Sequence, residues 1–143
     1  MDESNQEIGC VNIDTGTAIA FVSQASRTRH RLKANVQDKQ MVMTQTAEIE
    51  FRNVLSVIAG PQEAARGQRF LKRVKIIADN PSVRAMDLIE TKKISIADKI
   101  IFGTGYQLDI PTMTSDAKFL RGASAQGVDF NHILHPPVPL KGQ

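Results

Sequence analysis

Short apolar runs alternate along this chain with segments whose hydrophobic residues recur at helical spacing, and that alternation restricts the fold more than any other feature. The strand-like runs are Glu7–Ile13, Gln40–Thr44, Ala85–Glu90, Pro111–Thr114 and Phe130–Leu134. Between them, Thr17–Val22 fits a short helix, and the basic stretch after it continues as helix or loop. Ala47, Phe51, Val54, Leu55 and Ile58 keep helical spacing over Gln45–Ala59. Gly60-Pro61 stops that helix and opens another running to about Ala78, where Asn80-Pro81 ends it. Ser95–Leu108 and Asp116–Gln126 complete the helices. Strands separated by helices predict a three-layer α/β/α sandwich with a mainly parallel central sheet of four to five strands.

Composition sets outer limits on function. A chain of 143 residues fits one domain with a real core, and 41% hydrophobic residues argue against disorder. No apolar run approaches the roughly 20 residues of a membrane helix, so no membrane role is expected. The acidic, polar start is the opposite of a secretory signal, and residues 1–6 are expected to be a frayed leader. Residues 135–143 read as a Pro-rich tail. The single Cys10 excludes an internal disulfide and a thiolate zinc site, and its apolar neighbours predict a buried strand residue. His132 and His135 make a poor metal site, with no third His or thiolate nearby, and are expected to be surface or packing residues.

Four acids stand where such a fold places chemistry. Asp14 ends the first strand, Glu50 lies on a helix, Asp98 opens another helix, and Asp116 follows Pro111–Thr114. In a parallel α/β sheet the strand ends and the turns beyond them meet along one edge, where ligands bind. Carboxylates gathered there form a hard, oxygen-rich site suited to Mg²⁺ or Mn²⁺. Structural roles compete: Asp14 and Asp116 could simply cap helices, and Ser95-x-x-Asp98 has capping-box spacing. Glu48 competes with Glu50, although Glu48 can pair with Arg52 one turn away. Asp79, Asp87, Asp109 and Asp129 read as turn or surface residues. Gly103 and Gly105 interrupt a helix at about 1 kcal/mol each, which close packing against a sheet would explain.

Net charge is only +3, but basic residues are clustered. Arg27, Arg29, His30, Arg31 and Lys33 form one group, and Arg66, Arg69, Lys72, Arg73 and Lys75 another. Arg66, Arg69 and Arg73 share one helix face. Such groups either bind phosphates or are solvated faces. Arg29, Arg31, Arg66, Arg69 and Arg73 are the candidate nucleic-acid contacts.

Together these residues resemble the PIN-domain nuclease family, of the toxin (VapC-like) type. Asp14-Thr15-Gly16 after an apolar strand is similar to its first motif, and Thr44-x5-Glu50-Phe51 to its second. The most specific match is Ser95-Ile96-Ala97-Asp98-Lys99-Ile100-Ile101, followed by the strand and Thr114-Ser115-Asp116. The resemblance implies a metal-dependent endoribonuclease using Mg²⁺ or Mn²⁺. Asp14 and Asp98 would be the principal metal ligands, with Asp116 a direct or water-mediated one. Glu50 would orient a metal-bound water, and Thr15, Thr114 and Ser115 would support the carboxylates or a phosphate. It also implies an RNA substrate, a neutralising antitoxin or immunity protein, a homodimer and a cytoplasmic site of action; delivery from another cell stays open. Gly16 departs from the family's usual Asn or Ser. Two alternatives remain: an inactive PIN-like RNA-binding or interaction module, and a retropepsin-like aspartic protease, whose active-site turn Asp14-Thr15-Gly16 also resembles.

Overall fold

A computed structural model describes residues 9–24 and 26–143. Among the described residues five strands form one sheet: β1 (Gly9–Ile13), β2 (Lys39–Thr44), β3 (Lys75–Ile77), β4 (Thr112–Thr114) and β5 (His132–Leu134). Their order is β3-β2-β1-β4-β5, and every neighbouring pair is parallel. The helices between them are α1 (Thr15–Val22), α2 (Arg29–Val36), α3 (Gln45–Ile58), α4 (Pro61–Arg73), α5 (Val83–Met86), α6 (Ile96–Gln107) and α7 (Ala117–Ala125). The chain moves outward from β1 to β3, then crosses back to β4 and on to β5. Because parallel crossovers are right-handed, that reversal puts the earlier and later helices on opposite faces of the sheet. The expected three-layer α/β/α architecture with a parallel sheet is the one observed, and it excludes the nearly all-β protease fold.

Two cores match the two faces. Val11 and Ile13 of β1 and Met41 and Met43 of β2 point one way and pack with Phe21 of α1, Phe51 of α3 and Phe70 of α4. Phe21 and Phe70 stack at 5.0 Å between ring centroids. The second core joins Ala85, Ile94, Phe102, Phe119 and Phe130, with Phe102 and Phe119 stacked at 4.2 Å. Asn12, between Val11 and Ile13, faces the other way and donates to the Ile101 carbonyl of α6 and the Thr112 hydroxyl, both at 3.0 Å.

Several expectations need correction. The helix expected to reach about Ala78 ends at Arg73. The β-branched stretch Val74 to Ile77 leaves it and pairs with β2 as the edge strand β3. Ala85–Glu90 is no strand: Ser82 accepts from the Ala85 N–H at 3.2 Å and starts the short helix α5. Cys10 is half-buried rather than buried. Glu7 and Ile8, the expected start of β1, and the expected leader lie outside the described residues. The Pro-rich tail packs down, with Val138 and Leu140 against the first core.

Candidate active site

The sheet order places a switch point between β1 and β4, where the chain leaves in opposite directions and a crevice opens at the strand ends. Asp14 follows β1 directly, and Asp116 stands two residues after β4. A cleft of about 290 Å³ opens there, lined by Asp14, Thr15, Gly16, Glu50, Asp98, Ile101, Ser115 and Asp116. The four candidate acids therefore reach one cleft from four parts of the chain.

Each acid is held by its local structure. Asp14 caps α1, accepting from the Thr17 N–H at 2.8 Å, and is 7% exposed. Asp98 forms a capping box with Ser95: its carboxylate accepts from the Ser95 N–H at 3.2 Å, and its own N–H donates to the Ser95 hydroxyl at 3.1 Å. Asp116 caps α7 through the Phe119 N–H at 2.9 Å. Capping and cleft lining coexist at all three positions, since one carboxylate oxygen can face the helix while the other faces the cleft. Glu50 accepts from the Thr15 hydroxyl at 2.7 Å, whereas Glu48 is paired with Arg52 at 3.0 Å.

Electrostatics reflect the crowding. Burial pushes the Asp14 carboxyl above its ordinary value, against hydrogen bonds from the Thr114 side chain and Thr17 and the nearby His135, which pull it down. Burial also raises Asp98, with Asp116 and Glu50 adding repulsion and the Ser95 hydrogen bonds opposing it. Thr114 itself is buried behind the cleft, where its hydroxyl accepts from the Asp116 N–H at 2.9 Å. Thr15 and Ser115 line the cleft. Gly16 leaves room for Ser115, whose hydroxyl lies 3.2 Å from where a Cβ at position 16 would stand.

The donors are all oxygens, which suits Mg²⁺ or Mn²⁺. Among the described residues no group of three or more His, Cys, Asp or Glu side chains stands close enough to hold one ion. Mg²⁺ is commonly held by one or two carboxylates and keeps several waters, so this donor set fits a hydrated ion better than an all-protein cage.

Behind Asp14, Thr17 escaped the sequence reading, and His135, expected as a surface or packing residue, is buried. The Thr17 hydroxyl donates to the Met113 carbonyl at 2.7 Å and lies 2.7 Å from Nε2 of the buried His135. This contact ties β4, α1 and the tail together beneath the cleft. No local signal in the sequence marks it, because His135 is 118 residues from Thr17. His132 is exposed on β5 and bonds the Phe130 carbonyl.

The candidate RNA contacts lie elsewhere. Arg29, Arg66, Arg69 and Arg73 line a separate pocket together with Lys33, while Arg31 is exposed and does not line it. Asp79, expected in a turn, caps α3 through the Thr46 N–H at 3.0 Å and hydroxyl at 2.6 Å.

Solved structures with this fold share little sequence. VapBC2 from Rickettsia felis, bound to a DNA fragment from its promoter, is 15% identical over 90% of this chain and 99% of that chain, at a TM-score of 0.62. A domain of a functionally unknown protein from Methanocaldococcus jannaschii is 15% identical over 94% of this chain and 96% of that chain, at 0.54. A PilT N-terminus domain protein from Sulfolobus solfataricus is 12% identical over 87% and 86%, at 0.52. These likenesses establish the fold, which is that of the PIN domains. Residues 17–143 match the family model described as "Protein of unknown function (DUF1308)", and the chain therefore belongs to the DUF1308 family, built on a PIN-domain fold.

Proposed function

We propose that this protein is a metal-dependent endoribonuclease whose active site is the acidic cleft between β1 and β4. The observation that carries the reading is the meeting of Asp14, Glu50, Asp98 and Asp116 in one cleft at the switch point of the sheet. Asp14 and Asp98 would hold a Mg²⁺ or Mn²⁺ ion, with Asp116 joining through water, in keeping with a hydrated ion. The bound ion would supply charge neutralisation for the scissile phosphate and an acidified water. The chain's own residues set the rest. The hydrogen bond from Thr15 fixes Glu50 so that its free oxygen can orient a water. Ser115 reaches the cleft floor beside Gly16 and can donate to a phosphate oxygen.

Resemblance to the toxin-type PIN nucleases extends the reading to an enzyme acting in the cytoplasm, working as a homodimer and restrained by a cognate antitoxin or immunity protein. Among the described residues no helix is long and apolar enough to cross a membrane, which is compatible with that setting.

The test is cleavage of single-stranded and structured RNAs by the purified protein with Mg²⁺, Mn²⁺ or EDTA, beside Asp98→Asn. Cleavage that needs the cation and disappears in the variant supports the nuclease. RNA binding without cleavage under any metal condition would favour the inactive module instead.

A further inference from the structure

The end of α1 remote from the cleft carries a second constellation. α1 is capped by Asp14 in the cleft and runs from Thr15 to Val22, so its eight residues span about 12 Å. At that far end, Arg29 and Lys33 of α2 and Arg66, Arg69 and Arg73 of α4 surround a pocket of about 340 Å³ floored by Phe21.

Two of these cations have a structural task. Arg29 donates to the Phe21 carbonyl at 3.0 Å and also to the Ser23 carbonyl. Arg66 donates to the Val22 carbonyl at 2.8 Å and to the Gln24 side chain at 3.1 Å. Both guanidinium groups thus satisfy carbonyls left open at the α1 C-terminus. That task leaves Lys33 and Arg69 without a structural role, and Arg73 with one contact, its guanidinium 6.0 Å from the Phe70 ring centroid. Ion pairs among the described residues are Glu48–Arg52 and Glu90–Lys99, and neither touches the pocket. Glu63, one turn before Arg66 on α4, directs its carboxylate to the backbone N–H groups of Gln24, Lys141, Gly142 and Gln143. Among the described residues, then, no carboxylate pairs with the cations of this pocket. Burial and the Arg66 charge already press the Arg29 guanidinium below its ordinary value, so an anion would relieve existing repulsion.

Without its cation the acidic cleft repels a phosphate backbone, so RNA binding in EDTA must draw on cations elsewhere. Guanidinium forks match phosphate oxygens two at a time. Arg66, Arg69 and Arg73 follow one helix face for about 10 Å, long enough to meet more than one phosphate. We propose that this pocket is a phosphate-binding exosite that holds the backbone of a single-stranded RNA whose scissile segment lies in the acidic cleft. The proposal rests on RNA being the substrate, and binding can be measured without any cleavage.

The experiment is fluorescence anisotropy with labelled single-stranded RNAs of increasing length, in EDTA, from 50 to 200 mM salt. Arg69→Ala/Arg73→Ala leaves both guanidinium caps of α1 in place. It should weaken long RNAs tenfold or more and make the slope of log affinity against log salt shallower by about 1.4, two contacts at about 0.7 each. RNAs too short to span pocket and cleft should bind in the pocket alone, more weakly, and should lose affinity in the double variant as well. Arg69→Lys/Arg73→Lys should restore most of the slope, and thermal melting should match wild type throughout. Unchanged affinity and slope in the folded Ala variant would overturn the exosite, whatever the cleavage assay shows. Preference of the same residues for polyglutamate over RNA would overturn it in favour of an acidic protein partner. Pocket-dependent RNA binding in a protein that never cleaves would keep the exosite and dismiss the nuclease.

Discussion

The Thr15 hydroxyl donates to the Glu50 carboxylate at 2.7 Å, joining the first turn of α1 to the second turn of α3 across the mouth of the cleft. Glu48, two residues earlier, turns away to Arg52. Helical spacing alone left these two acids nearly equivalent. If Glu50 orients the attacking water, Glu50→Gln should slow RNA cleavage by about 10²-fold or more, while Glu48→Gln should stay within a factor of two or three of wild type. Single-turnover rates at saturating Mn²⁺ decide it, and equal losses in both variants would remove Glu50 from the role.

Asp14 and Asp98 are both raised above the ordinary carboxylate value of 3.8, chiefly by burial. A carboxyl raised in the folded state contributes stability that is complete below its unfolded value and lost as pH rises through the folded value. In EDTA the protein should therefore melt higher as pH is lowered from neutrality toward the ordinary carboxylate value of 3.8, and Asp98→Asn should flatten that dependence. Mn²⁺ at about 100 times its Kd should add about 2.7 kcal/mol, roughly 5–10 °C in melting temperature. Scanning calorimetry with and without cation is the check. No cation-dependent shift at millimolar Mn²⁺ would sink the metal site.

Glu63 titrates with the opposite sign. Its burial raises the carboxyl, but backbone N–H donors from Gln24, Lys141, Gln143 and Gly142 outweigh burial and hold it below its ordinary value of 4.5. Its contribution is present above that unfolded value and lost as pH falls through the folded one. The tail answers in kind: the Gln143 carbonyl accepts the Glu63 N–H at 2.8 Å, so helix and tail cap each other. Glu63→Gln places an amide against donors that need an acceptor and should cost about 3 kcal/mol in urea unfolding at pH 7. The deficit should shrink below pH 4. A loss under about 0.5 kcal/mol would mean that the tail contributes little.

Gly105 in α6 packs where a Cβ would stand 2.6 Å from the Thr112 hydroxyl and 3.1 Å from the Asn12 amide. Those two groups are bonded to each other and tie β1 to β4. Gly105→Ala gains up to about 1 kcal/mol of helix propensity but overpacks a site worth about 2–3 kcal/mol when strained. The net expectation is a loss of about 1–2 kcal/mol in the urea midpoint. An unchanged or higher midpoint would show that Thr112 and Asn12 can move aside.

Local sequence by itself determined the strand–helix alternation, the Ser95–Asp98 capping box and the positions of the acids at strand ends and helix starts. These signals act over a few residues, through hydrogen-bonding chemistry and hydrophobic period. Errors fell where the local signal was weak. The edge strand β3 continues the apolar spacing of α4, and the single turn of α5 is too short to show a period. Only tertiary structure decided which distant groups meet. The parallel pairing of β1 with β4 gathers Asp14 and Asp116, and the turn of α3 selects Glu50 over Glu48. The Glu63 clamp depends on tail donors 78 to 80 residues away. A buried carboxylate needs its donors in space, and sequence spacing carries no record of contacts closed over so long a loop.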